Sequence, residues 1–220
     1  MPGSGLIYSQ INWFILVPGS GGNVASSNSV NTRPGIISIT SSNTSANNYC
    51  GVYSGKGSGG GLVINDNSLI LDFQIKLHYL YATKPPSPND QQFIFQCGIG
   101  RDFVKDDQTY GVYFEYDGSI SANWRYCTAN NFPPVGNHTK LSSAVAVTTN
   151  WVSLSMLVTS NTSVEYFVNG SSIGTIATNL PSNVACNPYV KVYNTVKNDV
   201  NIGVDVDLIV ITQILGTSRK

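Results

Sequence analysis

Two acidic side chains in the segment "EYDGSI" are spaced as a catalytic pair could be. Glu115 and Asp117 are separated by one residue, so in a β-strand both project from the same face. A retaining glycosidase uses two carboxyl groups about 5–5.5 Å apart, one as acid and one as nucleophile. Because a turn-forming glycine follows directly, we interpret the pair as two surface acids beside a turn. We predict no catalytic residue.

The other residues with metal or acid–base chemistry are isolated. His78 and His138 have no H-E-x-x-H context and no nucleophile motif near them, and we expect both at solvent or packing positions. Asp205 and Asp207 alternate in "VDVDL" and could bind a cation if loop carbonyls or Asn201 joined them. We interpret them as polar positions of the last strand. The prediction is no metal and no other cofactor.

Aromatic residues concentrate in "NWRYCTANNF" and in the strand before it. Two interpretations stay open for them: they pack in a core, or they stack on the apolar faces of sugar rings. Exposed rings beside polar side chains suit the second interpretation. Its candidate glycan-binding residues are Trp124, Tyr126, Tyr113, Asp117 and Arg125.

Charge is scarce and balanced in this chain. Charged residues make up 11% of the 220 residues and the formal net charge is zero, against roughly 25% charged residues in soluble proteins generally. Nucleic acid and anionic membranes both attract a basic surface, so neither is expected as the main partner. A surface of Asn, Ser, Thr and Gly suits stacking into an assembly or binding neutral sugars.

The four cysteines, Cys50, Cys97, Cys127 and Cys186, match no zinc-binding spacing. The N-terminal segment lacks a basic region, and its apolar run 11–17 is too short for a signal peptide or a membrane span. We therefore expect synthesis in a cytoplasm, reduced thiols and no membrane insertion.

Period-two alternation of apolar residues recurs along the chain, and Gly, Pro, Asn and Asp separate the runs. This pattern predicts an all-β fold, a two-sheet antiparallel jelly-roll sandwich. The segment "VEYFVNGSSIGTIATNLP" predicts a hairpin that turns at Asn169-Gly170 and ends at Leu180-Pro181. The sets predicted to share a face are Phe93, Phe95, Cys97 and Ile99; Val112, Phe114 and Tyr116; Val152, Leu154, Met156 and Val158; and Val204, Val206, Leu208 and Val210.

The first thirty residues differ from the rest. An apolar cluster, "LIYSQINWFILV", is followed by the Gly/Ser/Asn stretch "PGSGGNVASSNSVN". We interpret residues 1–30 as a docking arm with a flexible spacer, and residues 31–217 as the jelly roll. The arm residues expected to bury against another protein are Leu6, Ile7, Trp13, Phe14, Ile15 and Leu16.

The order of the remaining elements resembles a known family. "RPGIISIT", "FIFQCGIG", "GVYFEYDG", "NWRYC", "WVSLSMLV", "VEYFVNG" and "DVDLIVI" follow one another between residues 31 and 217. This series resembles the concanavalin A-like, laminin-G-like jelly roll of virion structural and tail-fibre proteins of tailed bacteriophages. Glycosidases of the concanavalin A-like type carry E-x-D-x-x-E, and this chain has Ile120 in place of the second glutamate.

The resemblance implies a non-enzymatic protein of the virion surface, either a tail or fibre component or a capsid decoration protein. It would be made in the bacterial cytoplasm, contact other virion proteins through its arm, form a homo-oligomer and, as a tail or fibre component, contact a host glycan. The alternatives are a polysaccharide-degrading enzyme of the same fold and a free cellular lectin. Since this fold hosts lectins, glycosidases and structural modules, the site must decide between them.

Overall fold

The computed structural model describes residues 13–16, 23–26, 36–41, 46–54, 61–64, 68–80, 92–101, 108–130, 137–196 and 201–214. Within these ranges the structure is all strand and connection, with no helix, and so no helix that could cross a membrane. The strands are β1 Trp13–Leu16, β2 Asn23–Ser26, β3 Ile37–Ser41, β4 Tyr49–Ser54, β5 Leu62–Val63, β6 Ser68–Leu77, β7 Phe93–Gly100, β8 Tyr110–Asp117, β9 Asn123–Asn130, β10 His138–Ala146, β11 Val152–Thr159, β12 Ser163–Val168, β13 Ser171–Ile176, β14 Ala185–Asn194 and β15 Ile202–Ile214.

The strands form two antiparallel sheets that pack as a sandwich. One sheet has eight strands, in the order β1-β4-β14-β7-β8-β9-β10 with β5 also paired to β14. The other has seven, in the order β13-β12-β11-β6-β15-β3-β2. The predicted fold class is confirmed: this is an all-β sandwich of two antiparallel sheets.

The core lies between the sheets and is filled by the alternating apolar residues of their inner faces. The predicted inward sets of β7, β8 and β11 are all buried. Large rings connect the two layers: the ring of Phe114 on β8 packs edge-on against Tyr166 of β12, with centroids 5.3 Å apart. The hydroxyl of Tyr166 also donates to the backbone oxygen of Cys127, 2.6 Å away. The two sheets are therefore joined by packing and by a buried hydrogen bond.

The last strand departs from simple alternation. Val204 and Val206 face the core as predicted, but the register of β15 against β6 shifts between Val206 and Leu208. Such a bulge adds one residue and reverses the faces beyond it. Leu208 and Val210 are consequently exposed, so the prediction that they share the inner face is wrong.

Two segments of the predicted arm belong to the sheets. Residues 13–16 pair with β4 in continuous antiparallel register, and residues 23–26 pair with β3. The prediction set residues 1–30 apart from the jelly roll; the structure instead makes these two segments the outermost strands of the two sheets. The physical reason is that β3 and β4 each have an edge that can accept backbone hydrogen bonds. The remaining residues of the predicted arm, including Leu6 and Ile7, lie outside the described residues.

The hairpin turns where the sequence predicts. Val168 and Ser171 are paired across a two-residue loop, and Asn169 and Gly170 have φ angles of 50° and 78°. Positive φ at both central residues is the requirement of a type I′ turn. The second strand ends at Ile176, four residues before the predicted end.

All four cysteines are free and buried. Burial in apolar surroundings raises the pKa of the Cys50 thiol to about 11, and it raises the pKa of Cys97 well above its ordinary value.

Candidate functional site

A row of polar and charged side chains crosses the outer face of the eight-stranded sheet. It consists of Lys191 on β14, Gln96 on β7, Glu115 on β8 and Arg125 on β9, each in register with the next across four neighbouring strands. Side chains alternate between the two faces of a strand, and these four lie on the face opposite to the core. We call these four residues the polar row. Each of them is buried, with at most 8% of the residue exposed.

Glu115 is the centre of the polar row. Its Oε1 accepts from the Arg125 guanidinium at 2.6 Å, and its Oε2 accepts from the Gln96 side-chain amide at 2.8 Å. The ammonium of Lys140, on β10, donates to Oε2 at 3.0 Å. A buried carboxylate is tolerated when it is paired and hydrogen-bonded in this way. Both carboxylate oxygens are therefore engaged by donors within the sheet.

Tyrosine rings lie directly beside the polar row. Tyr113 and Tyr189 are buried and form a small outer cluster with Cys127 and Ala129. The Lys140 ammonium lies 6.0 Å from the centroid of the Tyr113 ring, and the Lys191 ammonium lies 5.8 Å from that of Tyr189. These distances are those of cation–π contacts. The face thus combines charged donors with aromatic surface.

The same face is partly exposed at its margins. Lys140 and His138 on β10 and Tyr53 on β4 are only partly buried, and they lie on either side of the strands that carry the polar row. The ring nitrogen Nε2 of His138 is 2.9 Å from the backbone oxygen of Gln108. A ligand on this face would meet these marginal residues first.

The structure separates the five predicted glycan residues into two groups. Tyr113, Asp117 and Arg125 lie on the outer face with Glu115. Trp124 and Tyr126 face the core, where the Trp124 ring packs edge-on against those of Phe95, Phe114 and Tyr116. Of the two interpretations left open for these rings, core packing is therefore the one the structure supports for Trp124 and Tyr126.

The interpretation of Glu115 and Asp117 as surface acids is wrong for both. Glu115 is 1% exposed and Asp117 is 8% exposed. Asp117 Oδ1 accepts from the backbone N–H and the hydroxyl of Ser119, which closes the turn after β8. The sequence places the turn correctly, but the burial depends on neighbouring strands that are distant along the chain.

Sequence reasoning missed Gln96, Lys191 and Lys140. A signal was present: Gln96 interrupts the apolar run "FIFQCGIG" and Lys191 interrupts "YVKVY" at the parity opposite to the core residues. A polar residue in a strand that is otherwise buried marks a satisfied network or a site. The sequence alone does not place these strands side by side.

The other residues considered for chemistry lie elsewhere. His78 pairs with Asp205 on the seven-stranded sheet, with 2.8 Å between Nε2 and Oδ1. Among the residues that the structure describes, no group of three or more His, Cys, Asp or Glu side chains could hold a metal.

Comparison with known proteins identifies the fold. No family model and no curated protein sequence matches the chain. The structure is similar to the carbohydrate recognition domain of Emp47p, at 12% identity and a TM-score of 0.56 over 93% of this chain and 89% of that one. It is similar to alginate lyase AlgAT5 from polysaccharide lyase family 7, at 12% identity and 0.58 over 93% and 95%. It is also similar to the β-glucanase of Bacillus licheniformis, at 14% identity and 0.56 over 97% and 95%. At these identities the likeness shows a shared jelly roll.

Proposed function

We propose that this protein binds a carbohydrate on the outer face of its eight-stranded sheet and does not cleave it. The observation that carries the proposal is the polar row with its flanking tyrosines. The polar row fixes amide, carboxylate and guanidinium groups in a line beside aromatic rings, on a face whose margins are partly exposed. Sugars offer both hydroxyl groups and apolar ring faces, and this combination of groups suits both.

The similar structures support the ligand class. Their names describe a carbohydrate recognition domain, an alginate lyase and a β-glucanase, three proteins with carbohydrate ligands on one fold. Because one fold hosts many functions, this support is secondary to the side chains of the face itself.

The arrangement of carboxylates favours binding over hydrolysis. Hydrolysis by a carboxyl pair needs one group to donate a proton and a second to act as nucleophile or base. Glu115 has both oxygens engaged by Arg125, Lys140 and Gln96, and Asp117 holds the Ser119 turn. Neither carboxylate is presented to a ligand above the sheet.

The test is direct binding to a panel that includes alginate and β-glucan oligosaccharides. Lys140→Gln removes a partly exposed cation from the face, and the matched control Lys76→Gln removes one from the outer face of the other sheet. We expect the wild type to bind at least one glycan, Lys140→Gln to bind it more weakly, and Lys76→Gln to match the wild type.

Two results would overturn the proposal. Absence of binding to any glycan in the panel, or equal weakening by both substitutions, would remove the outer face as a binding site. Appearance of new reducing ends, or of the ultraviolet absorbance of unsaturated sugars, would show a polysaccharide-degrading enzyme instead.

We further propose a location: the virion surface of a tailed bacteriophage, after synthesis in the bacterial cytoplasm, as a homo-oligomer in contact with other virion proteins. Its support is the ordered series of motifs between residues 31 and 217. The bound carbohydrate would then be a host-surface glycan. Mass spectrometry of purified particles would test this location, and finding the chain only outside particles would leave a free lectin.

A further inference from the structure

Asn187, on β14, carries a buried acceptor that the fold does not satisfy. The residue is 5% exposed, and no hydrogen-bond donor among the described residues reaches its Oδ1. Buried polar atoms in native proteins are nearly always hydrogen-bonded, so each exception calls for a reason. Asn187 shares the parity of Tyr189 and Lys191 and therefore lies on the same outer face as the polar row.

The sequence around Asn187 explains the missing donor. Its register partner on β7 is Gly100, and Gly61 lies on its other side, where a β-carbon would be only 2.9 Å from Asn187 Oδ1. Neither glycine has a side chain to donate. Along β14, the next positions on the same face are Ala185, which has no donor, and Tyr189, whose hydroxyl donates to Gln96 Oε1 at 3.4 Å. No side-chain donor reaches Oδ1 from any of the four adjacent positions.

We propose that Asn187 Oδ1 is the acceptor for a hydroxyl group of the bound carbohydrate. This inference rests on the proposed function and names one specificity-determining contact within it. Glycine at 61 leaves the strand next to Asn187 without a side chain, so a ligand can approach from that side, whereas the space over Gly100 is filled by the Gln108 side chain and the Tyr189 ring. A sugar hydroxyl is both small and a donor, and it would supply the hydrogen bond that the free protein lacks.

If Asn187 Oδ1 accepts from a ligand, substitution of Asn187 should weaken binding without lowering the stability of the free protein. In the free protein the unsatisfied oxygen is a cost, so Asn187→Ala should leave the melting temperature unchanged or raise it. In the complex the same substitution removes one hydrogen bond, which corresponds to roughly tenfold weaker binding. Asn123→Ala is the matched control, because the Asn123 amide already donates to the backbone oxygen of Ser143 at 2.9 Å. That variant should melt lower and keep wild-type affinity.

The experiment measures thermal melting of the full chain and its binding to alginate and β-glucan oligosaccharides. The bound sugar is also compared with analogues that each lack one hydroxyl. We expect one analogue to bind the wild type roughly tenfold more weakly than the parent sugar does. The same analogue and the parent sugar should bind Asn187→Ala equally well. A lower melting temperature for Asn187→Ala would show that the fold itself satisfies the oxygen, and would overturn the inference. Equal binding by Asn187→Ala and wild type would overturn it while leaving the proposed function intact. If the wild type binds no probe, both fall together.

Discussion

Glu115 holds the outer face together, because three donors from three different strands converge on its two oxygens. Glu115→Gln keeps the size of the side chain but leaves the buried Arg125 without its counter-ion. Breaking a buried ion pair from one side costs about 3–5 kcal/mol. We expect a loss of this order in the free energy of unfolding, measured by urea denaturation.

The control for this loss is Glu165→Gln on β12. Glu165 is partly exposed and accepts from the hydroxyl of Ser172 at 2.7 Å. A hydrogen bond near the surface is worth about 1 kcal/mol or less. Equal losses for the two variants would mean that Glu115 is not the centre of a buried network.

The buried thiol of Cys50 makes the stability of the folded state depend on pH. Its pKa is raised from an ordinary 9.0 to about 11 by burial, so above pH 9 the unfolded chain releases this proton while the folded chain retains it. The folded state therefore loses stability as the pH rises from about 9 to 11, and no such loss occurs below pH 9. We expect slow thiol labelling of the native protein at pH 8, four labelled thiols after denaturation, and a lower urea midpoint at pH 10 than at pH 8. In Cys50→Ala the pH-dependent decrease should be smaller. An equal decrease would assign the effect to other groups.

At the scale of the strand, the outermost elements β1 and β2 determine how the sheets end. Deleting residues 1–30 removes both and uncovers the edges of β4 and β3. It also removes the backbone oxygen of Asn23, to which the Cys50 thiol donates at 3.4 Å. Uncovered edges lose backbone hydrogen bonds and invite pairing between molecules.

We therefore expect the chain without residues 1–30 to melt at least about 4 °C lower than the full chain, since each kcal/mol moves the midpoint by about 2–4 °C at this size. It should also associate in a concentration-dependent way. Deleting residues 1–12 alone keeps both strands and should lower the midpoint less than deleting residues 1–30 does. A truncation at residue 30 that melts like the full chain would restore the interpretation of an independent docking arm.

Local patterns predicted the elements well where the pattern was self-contained. The inner faces of β7, β8 and β11 follow from alternation alone, and the hairpin follows from Asn169 and Gly170, whose φ angles the turn requires to be positive. The reversal of β15 at Leu208 was not predictable, because a bulge is fixed by pairing with β6 and leaves no mark in the alternation of "VDVDLIVI".

At the scale of the whole molecule, the polar row could not be predicted from the sequence, because it depends on the order of strands in the sheet. Lys191 and Gln96 are neighbours because β14 inserts between β4 and β7, strands that lie far from it along the chain. The sequence shows only that each of the two residues interrupts an apolar strand. Four such interruptions become one row of side chains once the strand order is known, and this also explains why Glu115 could be taken for a surface acid.

The core is likewise a property of both sheets together, and Trp124 tests it. Its ring is 1% exposed and meets Phe95, Phe114 and Tyr116, and Phe114 in turn meets Tyr166 of the opposite sheet. Trp124→Ala should lower the free energy of unfolding by about 3–5 kcal/mol, as for other buried aromatic residues cut to alanine. Because the rings connect the two sheets, the wild type should unfold in a single transition, with the same midpoint by tryptophan fluorescence and by circular dichroism. Trp124→Ala should also unfold in a single transition by circular dichroism. Trp151→Ala, at a partly exposed position, should lower the free energy of unfolding much less.

If Trp124→Ala instead kept its stability and lost carbohydrate binding, the ring would belong to a ligand site and the division between inner core and outer face would be wrong.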